Sequence, residues 1–187
     1  MNHISYWDNV LDKNVCDDII TRFESNSSQQ EQTVMEGHRS FTEINITKNI
    51  DDWNDVQNLL IGKMQEYVRK YITAFDIDES CWPQSFALEE FRIKRYLPND
   101  KDEFKFHVDV GDYTSAKRFL AFFWYLNDVG QGGETNFQKS PAARIEYSVT
   151  PKAGRLLVFP PLWTHPHVGM KPISGPKYII GGYLHHV

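Results

Sequence analysis

Apolar residues recur at three- and four-residue spacing in two early segments of the chain. Val15, Ile19, Ile20 and Phe23 share one face over about Asn14 to Glu24. A longer series runs from Asp51 to about Phe75: Trp53, Val56, Leu59, Leu60, Met64, Tyr67, Val68, Tyr71, Ile72 and Phe75. The spacing predicts two amphipathic helices, and Asp51 and Asp52 suit the positive N-terminal end of the second. An aromatic stripe at helical spacing reads as a packing face. Between the helices, the polar stretch Ser25 to Gln32 (SNSSQQEQ) reads as a loop that closes the first.

From about Gln84 the texture changes to short β-rich runs. Candidate strands are Ser85–Leu97, Phe104–Asp109, Lys117–Leu126, Glu134–Phe137, Arg144–Thr150, Arg155–Phe159, His165–Gly169 and Lys177–His185. Turn residues separate them at Pro98-Asn99-Asp100, Val110-Gly111-Asp112, Gly130 to Gly133, Pro151 to Gly154, Pro160-Pro161 and Ser174-Gly175-Pro176. Short strands with little helix between them indicate an antiparallel sandwich or barrel rather than a parallel α/β sheet. The expected fold class is mainly β with N-terminal helices (α+β). A single domain is expected, with residues 1–80 as a helical support layer and 81–187 as the β core, the helices covering one sheet.

Composition narrows the function classes. The 187 residues include 12 Phe, nine Tyr and five Trp, enough large side chains to build a core without disulfides. Twenty Lys and Arg against 25 Asp and Glu give a net charge of -5, so no broad basic stripe is offered to nucleic acid. Cys16 and Cys81 stand far apart and form no metal or redox motif. With no basic-then-apolar leader and no apolar run near the ~20 residues that span a bilayer, the chain reads as soluble and cytoplasmic. The expected partner is a protein, peptide or small-molecule substrate; oligomeric state is not legible.

Three features of the β-rich half carry chemistry. His107-Val108-Asp109 ends a strand, and side chains two apart in a strand point to the same face, so an imidazole and a carboxylate can converge on one ion. Alone, an H-x-D among seven histidines is as well read as a surface pair. Later comes Thr164-His165-Pro166-His167-Val168-Gly169. Two histidines and a carboxylate, with three positions left open, form the facial triad of non-haem Fe(II) oxygenases, and zinc accepts the same donors. Lys177 lies ten residues beyond His167, past a turn with Gly175 and Pro176. An inward cation there can pair with the far carboxylate of a dicarboxylate cosubstrate, which favours iron. In isolation Lys177 would read as an edge-strand lysine.

In order, the chain reads Arg95-Tyr96, His107-Val108-Asp109, Tyr125-Leu126-Asn127, Gly132-Gly133-Glu134-Thr135-Asn136-Phe137, Pro151 to Phe159 (PKAGRLLVF), His167 and Lys177. From Phe91 to Tyr183 this resembles the prolyl 4-hydroxylase-like branch of the 2-oxoglutarate- and Fe(II)-dependent oxygenases. The resemblance implies a double-stranded β-helix (jelly roll) core. It also implies a dioxygenase that hydroxylates a C–H bond, with Fe(II), 2-oxoglutarate and O2 as cofactor and cosubstrates, succinate and CO2 as co-products, and ascorbate as a candidate reductant. Carried over residue by residue, His107, Asp109 and His167 match the metal ligands, which are also the catalytic centre. Lys177 matches the residue gripping the far carboxylate of 2-oxoglutarate, Tyr96 matches a tyrosine that helps hold it, and Thr135 is placed to reach the same cosubstrate. Peptidyl proline or another amino-acid side chain is the substrate class the resemblance suggests first.

Alternatives stay open at this level. His165 shares a strand face with His167, so alternation alone does not separate them; the spacing to Lys177 favours His167. A catalytically silent jelly-roll module binding metal or ligand is the rival from another class. A zinc hydrolase is a second, for which no well-placed general base or HExxH helix is found. Arg118 and Trp124 are candidates to line or support a pocket, and the loops Val110–Ala116 and Lys139–Ala143 are candidate substrate lips.

Overall fold

The computed structural model describes residues 3–187. Its elements in chain order are β1 (Ser5–Trp7), α1 (Lys13–Ser25), β2 (Glu31–Met35), β3 (Arg39–Asn45), α2 (Ile50–Ala74), β4 (Phe86–Leu88), β5 (Arg92–Tyr96), β6 (Glu103–His107), β7 (Arg118–Tyr125), β8 (Thr135–Phe137), β9 (Tyr147–Val149), β10 (Leu156–Phe159), β11 (His167–Gly169) and β12 (Lys177–His186). All strand pairings are antiparallel, and one curled sheet runs β1-β10-β7-β12-β5-β3-β6-β11-β8-β9, with β2 on β3 and β4 on β12. This is the expected mainly β, jelly-roll architecture.

Two-residue alternation divides the sheet into two cores. On β7, Leu120, Phe122 and Trp124 face α1 and α2, while Ala121 and Tyr125 face the hollow of the curl. On β10, Leu156 and Val158 face the helices, and Leu157 and Phe159 face inward. The outer core takes Cys16, Ile19 and Phe23 from α1, and Trp53, Val56, Leu60, Met64 and Tyr71 from α2. The helical stripes therefore bury against the sheet's outer face, as the spacing predicts. Trp124 belongs to this outer packing and does not line the hollow.

The same parity decides where the polar residues go. Ile93 on β5 and Ile180 on β12 lie in the outer core, so Lys94 and Tyr96, and Lys177 with Ile179, point inward. Lys177 stands opposite Tyr96 across the β12–β5 pair. Burying a lysine is unfavourable, and the pairing of β12 with β5 sets the face it takes.

The first 80 residues depart from the expected helical layer, because they also supply β1, β2 and β3. In β3 the polar Ser40, Thr42 and Asn45 are buried alongside Phe41 and Ile44, so no apolar/polar alternation marks the strand. Beyond its hairpin with β2, it is held by partners distant in sequence, β5 and β6. The predicted strand Ser85–Leu97 is two strands, β4 and β5, broken at Glu89 to Phe91. The connection after Tyr96 is pinned by buried Asp102, which accepts from the Ser40 hydroxyl at 2.8 Å and the Leu97 amide at 2.9 Å.

Two glycine positions are dictated by close approach. Gly154 has φ +75°, and a Cβ there would lie 2.1 Å from the Leu11 carbonyl oxygen. Gly132, in the Gly-Gly-Glu-Thr turn, has φ +76°, with a Cβ 2.3 Å from the Lys171 carbonyl oxygen.

Candidate active site

The three predicted ligands meet at one end of the hollow. His107 ends β6, His167 begins β11, and the two are directly opposed in the β11–β6 ladder. Asp109 lies two residues past the end of β6, and its carboxylate comes to the same side. The ligand atoms of His107, Asp109 and His167 all lie within 4.8 Å of one another. His107 Nε2 is 3.3 Å from Asp109 Oδ1, and His167 Nε2 is 3.7 Å from Asp109 Oδ2. The side chains are only 7, 5 and 3 % exposed.

Both imidazoles are set in the same tautomer. His107 Nδ1 donates to the Lys105 carbonyl at 2.6 Å, and His167 Nδ1 donates to the His165 carbonyl at 3.1 Å. Carbonyls only accept, so the proton sits on Nδ1 and each Nε2 presents a lone pair. His107 Nε2 and Asp109 Oδ2 are buried with no hydrogen-bond partner. Orphaned buried acceptors are rare, and here both belong to one cluster whose ligand atoms lie within 4.8 Å of one another. Burial holds the His167 imidazole down at about 4, so it is neutral. Burial alone would raise the Asp109 carboxyl, but His167 and His107 beside it hold it at about 2, so it is ionised. Neutral imidazoles and a carboxylate are the forms a divalent metal requires. The residues fit an iron of the facial-triad type.

Aromatic rings fix and shield the ligands. Phe104 stacks flat on His107, with centroids 3.6 Å apart and planes at 4°. Phe159, Phe137 and Phe123 surround His167 at 4.9, 5.5 and 6.4 Å.

His165 stands apart from the metal-ligand cluster. Its backbone carbonyl, rather than its ring, serves His167, while its Nδ1 is 2.8 Å from the Thr164 hydroxyl. A His165→Ala variant is therefore expected to keep metal affinity within a few-fold of the parent by calorimetric Mn(II) titration. A loss beyond about a hundredfold, more than losing an outer-shell partner causes, would make the ring a ligand.

Lys177 lies at the inner end, 2 % exposed. Its ammonium sits 5.5 Å from the Tyr96 ring centroid and 5.6 Å from that of Tyr125. No hydrogen bond or ion pair satisfies it among the described residues. Burial pushes it down to about 7, and Glu134 offsets part of that. Thr135 and Tyr96 line the same inner chamber as Lys177 and the triad. Thr135 Oγ1 accepts from the Tyr125 hydroxyl at 2.7 Å. The chamber holds about 30 Å³, room for about two water molecules.

On the other side of the triad a cavity of about 590 Å³ opens to solvent. Gly111, Asp112, Thr114 and Ser115 line it, as expected of the Val110–Ala116 lip. The Lys139–Ala143 loop does not reach it; Pro141 borders a separate depression. Arg118 lines the cavity, paired with Glu89, lying 4.2 Å from the Tyr183 ring, and donating at 2.9 Å to the Asp109 carbonyl. Several cavity residues escape sequence reading. Arg39, Phe41 and Glu43 come from the unrecognised β3, and Lys94 is signalled only by its parity with Tyr96. His38, outside every motif, also lines it, its ring 6.0 Å from that of His107.

Comparison with known proteins agrees with this geometry. No curated protein sequence matches the chain. Residues 91–185 match the 2OG-Fe(II) oxygenase superfamily. Among solved structures, the viral collagen prolyl hydroxylase of Paramecium bursaria Chlorella virus-1, in its 2-oxoglutarate complex, superposes with a TM-score of 0.68 at 22 % identity. That alignment covers 100 % of this chain and 97 % of the viral one. A prolyl-4-hydroxylase from Pseudomonas putida gives 0.64 at 17 %, covering 99 and 93 %. A prolyl hydroxylase from Trichoplax adhaerens, bound to a hypoxia inducible factor peptide, gives 0.70 at 15 %, covering 99 and 84 %. At these identities the structural likeness establishes the jelly-roll fold, and the family match spans half of the chain. The enzymes of that family are dioxygenases using Fe(II), 2-oxoglutarate and O2, and this chain belongs to the 2OG-Fe(II) oxygenase superfamily.

Proposed function

We propose that the chain hydroxylates a C–H bond of a substrate admitted through the cavity of about 590 Å³, releasing succinate and CO2. His107, Asp109 and His167 hold Fe(II), and Lys177 pairs with the far carboxylate of 2-oxoglutarate. The observation that carries this reading is a buried, unpartnered ammonium in the same narrow chamber as three convergent, metal-ready ligands. Such a cation is unfavourable until an anion arrives.

Metal and 2-oxoglutarate together supply the oxidising power. The chain does the rest. The Nδ1 protons of His107 and His167 are tied to carbonyls, which fixes ligand orientation before metal arrives. Phe104, Phe123, Phe137 and Phe159 exclude water from the reacting space. The Tyr96 hydroxyl, with no hydrogen-bond partner among the described residues, is a donor for the carboxylate that Lys177 neutralises. Thr135, already engaged by Tyr125, offers its own hydroxyl proton to the same oxygens.

The named activities of the structural neighbours make peptidyl proline, or another amino-acid side chain, the first substrate class to test. With Fe(II) and ascorbate, succinate release is expected above background even without substrate, and a productive peptide or amino acid raises it and gains 16 Da, one oxygen atom. Metal binding with no 2-oxoglutarate turnover under any condition would identify a silent jelly-roll module instead.

A further inference from the structure

The cavity in front of the triad contains two cations that nothing in the fold explains. Lys94 on β5 and Arg39 on β3 both line it, on the inner face with His107 and Asp109. The Lys94 ammonium lies 4.9 Å from the Phe41 ring centroid and forms no ion pair among the described residues. The Arg39 guanidinium lies over the Phe104 ring at 5.5 Å; its Nε is buried with no hydrogen-bond partner, and no carboxylate pairs with it. The other cavity cations are engaged: Arg118 by Glu89, and Arg92 by Glu90.

The acids nearby form no ion pair with either cation among the described residues. Asp109 belongs to the metal site. Glu43 stands opposite Lys94 across the β3–β5 ladder and acts on it electrostatically without forming an ion pair, its carboxylate accepting from the Thr33 hydroxyl at 3.0 Å. Asp112 accepts from the Ser115 amide at 2.8 Å. A partly buried lysine and an arginine with an orphaned nitrogen thus flank an open cavity that reaches the metal ligands. Lysine provides a point charge and arginine a fork of donors, a combination matched to a carboxylate.

We propose that Lys94 and Arg39 bind a carboxylate of the substrate, so that the enzyme selects an acid whose target carbon lies within one residue's reach of that group. This rests on the oxygenase reading and deepens it. A neutral internal proline in a peptide offers nothing to the two cations. A free amino acid, a chain-terminal residue or an acidic side chain does.

The test uses the full chain loaded with Mn(II) and saturating 2-oxoglutarate, and reads paramagnetic broadening of probe methyl protons. Acetylglycine and acetylglycinamide have the same shape and differ in charge; acetyl-aspartate methylamide carries its carboxylate on a side chain. Acetylglycine is expected to broaden and the amide not, and the aspartate probe distinguishes terminal from side-chain sources. Lys94→Met and Arg39→Gln should each weaken carboxylate binding about tenfold or more. Retained 2-oxoglutarate binding, seen in the charge-transfer absorption of the anaerobic Fe(II) complex, shows that the variants are folded. Equal binding of the amide, no effect of either substitution, no broadening by any probe, or a Lys94→Met loss confined to 2-oxoglutarate overturns the proposal. Failure of the parent protein to give the charge-transfer absorption at all strikes the oxygenase reading instead, and is seen before any probe is added.

Discussion

Asp109→Ala is expected to abolish metal binding and 2-oxoglutarate turnover together, by more than about a hundredfold, while the protein stays folded. The magnitude exceeds the 10–100-fold loss typical of an outer-shell partner because a ligand itself is removed. Asp109 is the only carboxylate in the cluster, and its two oxygens face the Nε2 atoms of His107 and His167. Without it, two neutral imidazoles must hold a divalent ion with no negative charge to balance it. Asp109→Asn keeps the shape and loses the charge, so it is expected to fall nearly as far. Calorimetric Mn(II) titration and succinate release read the two losses. An alanine variant keeping a tenth of either would remove Asp109 from the triad.

Lys177→Met should do two opposite things. Affinity for 2-oxoglutarate falls by roughly 10²–10³, the fold-change equivalent of the 3–5 kcal/mol typical when one partner of a buried charge pair is deleted, reduced by residual binding to the metal. The cosubstrate-free protein, however, becomes more stable by roughly 1–4 kcal/mol, about 2–4 °C in Tm for each kcal/mol, since a buried cation gives way to an apolar side chain of similar length. The pH dependence has a definite sign. The Lys177 ammonium is held at about 7 in the folded chain, well below the ordinary 10.5 it would recover on unfolding. Between those values the unfolded chain carries the extra proton, so this group makes stability rise with pH across that window and contributes no such slope in Lys177→Met. Binding of 2-oxoglutarate runs the other way. The anion needs the protonated form, so its affinity weakens about tenfold per pH unit above about 7, up to the ordinary lysine range. Lys177→Arg keeps its charge throughout and should flatten that decline. Thermal melts and 2-oxoglutarate titrations at several pH values check both slopes. A variant that loses cosubstrate affinity without gaining stability would mean that Lys177 has a partner in the free protein.

How much of this was legible in the chain differs between its halves. The helices followed from apolar spacing, and the predicted bounds fall within a residue or two of α1 and α2, because a helix is written in contacts three and four residues apart. The strands carrying His107 and Lys177 were legible for a related reason: alternation is local, and a two-residue spacing is enough to put His107 and Asp109 on one side. The H-x-D, the later histidine and the distant lysine gave chemistry an order along the sequence. Parity alone did not separate His165 from His167, and only the ten-residue spacing to Lys177 favoured the second.

β3 shows what local pattern cannot hold. Its polar residues are buried because β5 and β6 flank it and Asp102 caps Ser40, partners 47 to 65 positions away. With β3 unread, Arg39, Phe41 and Glu43 were invisible, and so was the charge of the cavity mouth.

By itself, the sequence determined the helices, most strands of the β core, the identity of the ligand candidates and the family resemblance, since these depend on residue type and near spacing. Only the tertiary structure decided which histidine closes the metal cluster, which tautomer each imidazole holds, and which cations are left unpaired around it. Those depend on distances between strand ends and on which neighbours fill the hollow, and such distances exist only once the sheet has curled.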